Sequence, residues 1–152
     1  MAKVGPLFAA AGAPPGKALV YVYWPHGEQG RFDRAAVLSC EEGGIEEIRR
    51  GAYTAFAVEP GRSCFRVERH WDVQSVGHVG AFASQDLADM ELNVEAGGTY
   101  FVRLQQEPRL LVSRVALRQV EPGVASPEIR RCRRLIPLSP EELARRFMRD
   151  ER

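Results

Sequence analysis

At 152 residues, with 45% apolar and 27% charged residues and a net charge of +1, the chain has the make-up of one ordinary globular domain. That balance argues against disorder, predicts no strong pull toward nucleic acid or an acidic membrane, and contains no apolar run near the ~20 residues of a membrane-spanning helix. Of 21 basic residues only Lys3 and Lys17 are lysine, an arginine excess that reads as coding bias.

Residues 4–15 are small and Ala-rich, broken by Gly5, Pro6, Gly12 and Pro14-Pro15, and lack the apolar centre of a secretory signal. Residues 1–16 therefore read as a flexible leader, residues 17–120 as a β-sandwich domain and residues 121–152 as a C-terminal helical extension packed on it. Within the domain, residues 18–24 (Ala-Leu-Val-Tyr-Val-Tyr-Trp) form an unbroken β-branched and aromatic run stopped by Pro25, the pattern of a central strand covered on both faces. After a polar loop over 26–33, residues 35–40 predict a second strand, which the Glu41-Glu42-Gly43-Gly44 turn returns through 45–48. Arg49-Arg50-Gly51 is a further turn.

Two stretches then follow one template. Val58-Glu59-Pro60-Gly61 leads to Phe65, and Val94-Glu95-Ala96-Gly97 leads to Phe101, each pair of positions 36 residues apart. An alternating apolar approach, a Glu-x-Gly turn and an aromatic exit predict a β-hairpin at each copy. Pro60 and Gly61 suit the central positions of a type II turn. The exit strand runs over 63–71, a long Gly/Ser/Ala loop over 72–86, and further strands over 87–94, 99–105 and 110–120. That makes about eight strands with frequent turn signals, an antiparallel sandwich or small barrel. In the tail, Ser126-Pro127-Glu128 and Ser139-Pro140-Glu141-Glu142 both read as helix starts with Ser as N-cap. Leu143, Phe147 and Met148 give the second helix an apolar stripe opposite Arg145, Arg146 and Arg149, suited to docking on its own domain or, in the sharper reading, to a membrane surface or partner.

No residue is assigned a catalytic, cofactor-binding or metal-ligating role. His26, His70 and His78 read as solvated, because no carboxylate or Cys stands at ligand spacing from them. Cys40, Cys64 and Cys132 match no zinc pattern; one disulfide from Cys64 to Cys40 or Cys132, or three unpaired thiols, both fit the count. Glu59 and Glu95 read as turn residues rather than an acid–base pair. Gly97-Gly98 precedes a strand, so it offers no helix N-terminus to a phosphate. Arg130, Arg131, Arg133 and Arg134 form the one local charge concentration; with Glu128, Glu141 and Glu142 beside it, a solvated face is the expectation. Tyr21, Tyr23, Trp24, Tyr53, Trp71 and Tyr100 could line a carbohydrate or peptide groove, but their apolar strands assign them to the core.

Three segments in order are similar to one family. Pro14-Pro15-Gly16-Lys17-Ala18-Leu19-Val20-Tyr21-Val22-Tyr23-Trp24-Pro25 opens the series. Gly51-Ala52-Tyr53-Thr54-Ala55-Phe56-Ala57-Val58-Glu59-Pro60-Gly61 and Ala96-Gly97-Gly98-Thr99-Tyr100-Phe101-Val102-Arg103 follow it. With the Gly-turn hairpin between the first two, they resemble the bacterial domain-of-unknown-function family 2846, whose members are often lipoproteins. Trp24 departs from the Arg commoner there, and the lipid-attachment signal of many members is absent from this chain. The resemblance implies an immunoglobulin- or transthyretin-like sandwich in the cell envelope or periplasm, non-catalytic, binding or scaffolding an envelope partner. It implies contact with the membrane only through an N-terminal lipid anchor upstream of these residues. It transfers no functional residue. Two other readings remain open: a small-ligand binder or enzyme using the 72–86 loop, and a cytoplasmic protein-interaction domain with a basic C-terminal helix, the location that a true start at Met1 would imply.

Overall fold

Residues 18–24 have no polar face to turn toward water, so a strand built from them must be covered on both sides. The computed structural model describes residues 3–8, 12–25, 36–41, 43–69, 86–108 and 113–136, with Glu141 and Arg145 beyond them, and it buries every residue of that run. Among the described residues the elements are β1 (Lys3–Leu7), β2 (Ala18–Trp24), β3 (Ala36–Cys40), β4 (Ile45–Ile48), β5 (Ala52–Val58), β6 (Gly61–Arg69) and β7 (Asp86–Val94). They continue with β8 (Thr99–Pro108), β9 (Ser113–Val120), α1 (Pro122–Ile129) and β10 (Arg133–Ile136). One sheet has the order β1-β10-β5-β2-β8-β9 and the other β4-β3-β6-β7.

The chain is thus an all-β sandwich with a C-terminal helix, and the eight expected strands are β2 to β9. Lettered A to H, those eight give D-A-G-H facing C-B-E-F. An immunoglobulin constant domain instead sets A-B-E-D against C-F-G, so the strand order departs from the immunoglobulin one. Most neighbours are antiparallel, but β2 runs parallel to β8 and β10 parallel to β5. Both parallel pairs join segments far apart in sequence, as parallel neighbours must.

Two cores follow from the period of two along each strand. Val20, Val22 and Trp24 point between the sheets and meet Leu38, Ile48, Phe56, Phe65, Val67, Leu92, Val102 and Leu104 there. Leu19, Tyr21 and Tyr23 point the other way, onto the outer face of the larger sheet, where Tyr53 and Phe101 join them under Ala125 and Ile129 of α1.

Three expectations are corrected. The twin Val-Glu-x-Gly segments are not hairpins: the first carries the chain from β5 into β6, in the opposite sheet, and the second carries it back from β7 into β8. They sit side by side, since Gly61 pairs with Val94 across β6 and β7, and Gly61 and Gly97 take the positive φ values of 119° and 81° that favour glycine. A Glu-x-Gly signal reports a change of chain direction; it does not say which sheet receives the next strand. Residues 3–7, read within a flexible leader, form β1 and pair with β10, itself a strand inside the expected helical extension. Finally, α1 starts one turn before Ser126. Glu121 has the extended backbone of an N-cap, Pro122 opens the helix, and the Ser126 hydroxyl donates back to the Pro122 carbonyl at 2.7 Å. Glu121-Pro122 and Ser126-Pro127 carry the same kind of signature five residues apart, and the helix begins at the earlier one. The helix expected from residue 139 lies outside the described residues apart from Glu141 and Arg145, both exposed.

Candidate functional site

The outer face of the larger sheet carries an aromatic half and a polar half, both beneath or beside α1. In the aromatic half, Tyr21 and Phe101 are register partners on β2 and β8 and stack with centroids 5.4 Å apart. Phe8 stands edge-on to Tyr21 at 5.1 Å and to Tyr53 at 5.2 Å. The polar half begins two residues further along the same strands. The Tyr23 hydroxyl donates to Glu128 Oε1 at 2.7 Å, and Arg103 Nη1 donates to both Glu128 oxygens at 2.9 and 3.1 Å. Arg103 Nε also donates to Gln105 Oε1 at 3.0 Å, and Gln105 Nε2 reaches Glu107 Oε1 at 3.3 Å. Arg118 closes the row from β9, with Nε and Nη2 at 3.0 and 2.6 Å from the same Glu107 oxygen.

Burial, and then the Glu128 carboxylate it bonds, push the Tyr23 phenol well above its ordinary pKa. The phenol therefore stays protonated and acts as a fixed donor. Each charged or polar group in the row is already engaged by a neighbour, so its chemistry is that of a strut holding α1 to β2 and β8. Beside the strut, where α1 begins, a cleft of about 340 Å³ opens between Thr99, Phe101, Gln119, Val120 and Glu121.

The strut joins residues that sequence reasoning left apart. Tyr21, Tyr23, Tyr53, Phe101 and Arg103 come from the three segments that carry the family resemblance, and all of them reach this one face. A signal was present: Arg103-x-Gln105-x-Glu107 alternates with buried Val102 and Leu104, which marks a strand whose outward row is polar and connected.

The other candidates fall elsewhere. His26, His70, His78 and the loop after β6 up to residue 85 lie outside the described residues, as does Trp71. No disulfide joins the three cysteines. Cys40 points between the sheets and Cys132 lies in the outer core, while Cys64 faces solvent on the smaller sheet. Cys40 pairs in register with Phe65, which turns the neighbouring Cys64 side chain to the opposite face. Hydrogen bonding to the Glu41 carboxylate raises the Cys64 thiol above its ordinary pKa, the reverse of an activated nucleophile. Burial pushes the Cys132 thiol up to about 12.

Glu59 and Glu95 hold corners. The Glu59 carboxylate lies 3.6 Å from Lys17 Nζ on exposed surface, and the Glu95 N–H donates to the Tyr100 hydroxyl at 2.9 Å. Gly98 permits the second contact, because a Cβ there would sit 2.8 Å from the Tyr100 ring. Trp24 and Tyr23 are buried, and Trp24 supports the Arg50 guanidinium, 5.7 Å from the ring centroid, with Arg50 Nη2 bonded to Gln106. The four tail arginines are exposed as expected. Glu128, however, does not balance them, since it is turned inward to Tyr23 and Arg103.

Compared with known proteins, the chain matches no family model and no curated sequence.

Proposed function

We propose that this chain is a non-catalytic binding or scaffolding module of the bacterial cell envelope, the soluble part of a lipoprotein. The observation that supports this reading is the convergence of the three family-like segments on one structural task. Tyr21, Tyr53 and Phe101 build the outer core, Tyr23 and Arg103 hold Glu128 of α1, and Tyr100 folds over Gly98 at a corner. Residues that recur in a family because they build a fixed scaffold suit a module that presents a surface. Expression of the native gene with a C-terminal epitope tag, fractionation of the cells and metabolic labelling with palmitate test the proposal. Label in an envelope fraction is the expected result; an unlabelled cytosolic product refutes it.

A second reading has one observation in its favour. The cleft at the start of α1 is lined by Thr99 and Glu121 together with Phe101 and Val120, a mix of apolar surface and few polar groups of the kind used to hold a small molecule. A fragment screen by amide chemical-shift mapping that clusters on these residues would favour it over a purely scaffolding role.

A further inference from the structure

A net charge near zero conceals a local excess. The Arg133 N–H donates to the Gly51 carbonyl at 2.8 Å, and Arg133 and Arg134 pair in register with Ala52 and Tyr53. The Arg49-Arg50 turn therefore lies against the link from α1 to β10, which carries Arg130 and Arg131. Six arginines from two distant segments are thereby brought to one end of the larger sheet, with Arg133 and Arg134 on opposite faces of β10.

Their acidic neighbours leave half of these arginines without an ion pair among the described residues. Glu128 is committed to Arg103 under α1. Glu47 lies 3.6 Å from Arg49, and Glu46, half-buried, feels Arg134 and bonds Thr54. Among the described residues, no ion pair engages Arg130, Arg131 or Arg133. Beside them, α1 turns an unusual face to solvent. Pro122, Gly123, Val124 and Pro127 are all exposed, Val124 to 50%. Val124, Pro127 and Arg131 fall at spacings of three and four, on one side of the helix and its continuation.

We infer that this face, the exposed side of α1 with the arginine cluster at its end, rests on an anionic phospholipid surface. Clusters of four to eight basic residues bind such surfaces, and an exposed apolar residue at their rim enters the headgroup layer. Single-stranded nucleic acid would want exposed rings for stacking; among the described residues at this end, Trp24 and Tyr53 are 4% and 3% exposed, and Trp24 lies under Arg50. An acidic protein would satisfy the guanidiniums but make no use of Val124. The inference stands apart from the lipid tether, since it concerns the untethered chain.

The full chain should co-sediment with vesicles of equimolar phosphatidylcholine and phosphatidylglycerol, less so at high salt, and not with phosphatidylcholine alone. Arg130→Ala and Arg131→Ala should each lower partitioning about fivefold, and Val124→Asp should lower it again. All three positions are exposed, so unchanged thermal unfolding is expected of each variant. Failure to bind the anionic vesicles, or binding indifferent to the two arginines, overturns the inference. So does binding of polyglutamate or a DNA oligonucleotide as tight as that of vesicles and insensitive to Val124→Asp, an outcome that would assign the face to an acidic macromolecule.

Discussion

The strut under α1 can be taken apart one group at a time. Tyr23→Phe deletes a hydroxyl that donates to a carboxylate at 2.7 Å, while Glu128 keeps Arg103. A hydrogen bond to a charged acceptor is worth ~1.5–3 kcal/mol. The low end applies here, because the Glu128 side chain is 32% exposed and can recruit water. Glu128→Ala strands the phenol hydroxyl of a residue that is 0% exposed, at ~1–3 kcal/mol. It also loses a partly exposed ion pair worth ~0.2–1 kcal/mol. Once the hydroxyl is gone, the second substitution costs only that ion pair. The double variant should therefore be ~1–3 kcal/mol more stable than the sum of the singles implies. For a chain of this length each kcal/mol moves Tm by ~2–4 °C, so both singles are readable by calorimetry, and urea titration gives the coupling. Amide exchange at Ala125 and Ile129 should quicken in both singles. Additive free energies, or a Tyr23→Phe variant as stable as wild type, would refute the strut.

Three further outcomes are expected. The Glu46 carboxyl is held above its ordinary value of 4.5, chiefly by burial, so folding favours its protonated form; that contribution is full below 4.5 and is lost as pH rises through the folded value. Glu46→Gln should then be at least as stable as wild type at neutral pH, with the difference shifting toward wild type on acidification; a Tm difference independent of pH counts against this. Cys64 should react slowly with a disulfide reagent in the native state and faster in Glu41→Gln, since the carboxylate raises its pKa, while Cys40 and Cys132 are buried and silent; equal rates would show that Glu41 does not hold the thiol. Gly98→Ala should cost ~1–2 kcal/mol by forcing Tyr100 off the Glu95 N–H, and in a Tyr100→Phe background that cost should shrink, as read from urea midpoints.

How far the molecule was legible depended on how local each signal was. β2 to β9 could be read because alternation and breakers act within a few residues: the buried run of β2, the Gly43-Gly44 reversal between β3 and β4, and the Pro25 stop. The destination of a strand is not local. Val58-Glu59-Pro60-Gly61 announces a turn, yet the choice between a neighbour in the same sheet and one across the core is made by the packing of Phe56 against Phe65, whose rings lie 5.6 Å apart. β10 was hidden for a related reason, since four residues beginning with Arg133-Arg134 have no pattern until β1 and β5 flank them. The strut was least visible of all. Tyr23 and Glu128 are 105 residues apart, and only the parallel pairing of β2 with β8 brings Arg103 to the same carboxylate.

Strand order also sets the sequence in which the two sheets can assemble as the chain is made. The smaller sheet draws on nearer stretches: β3 meets β4 through a tight turn, then β6 once β5 has passed to the larger sheet, then β7. The larger sheet has its central strand near the start, but β2 lacks its β8 neighbour until about 80 further residues have followed, and β1 cannot pair until β10 arrives. Closing loops of that size is slow, and unpaired apolar strands are exposed to aggregation meanwhile. Tyr21, Tyr23 and Trp24 are therefore the part of the nascent chain most in need of shielding, and a substitution that delays β8 or β10 should lower the yield of soluble protein more than it lowers the melting temperature of what does fold.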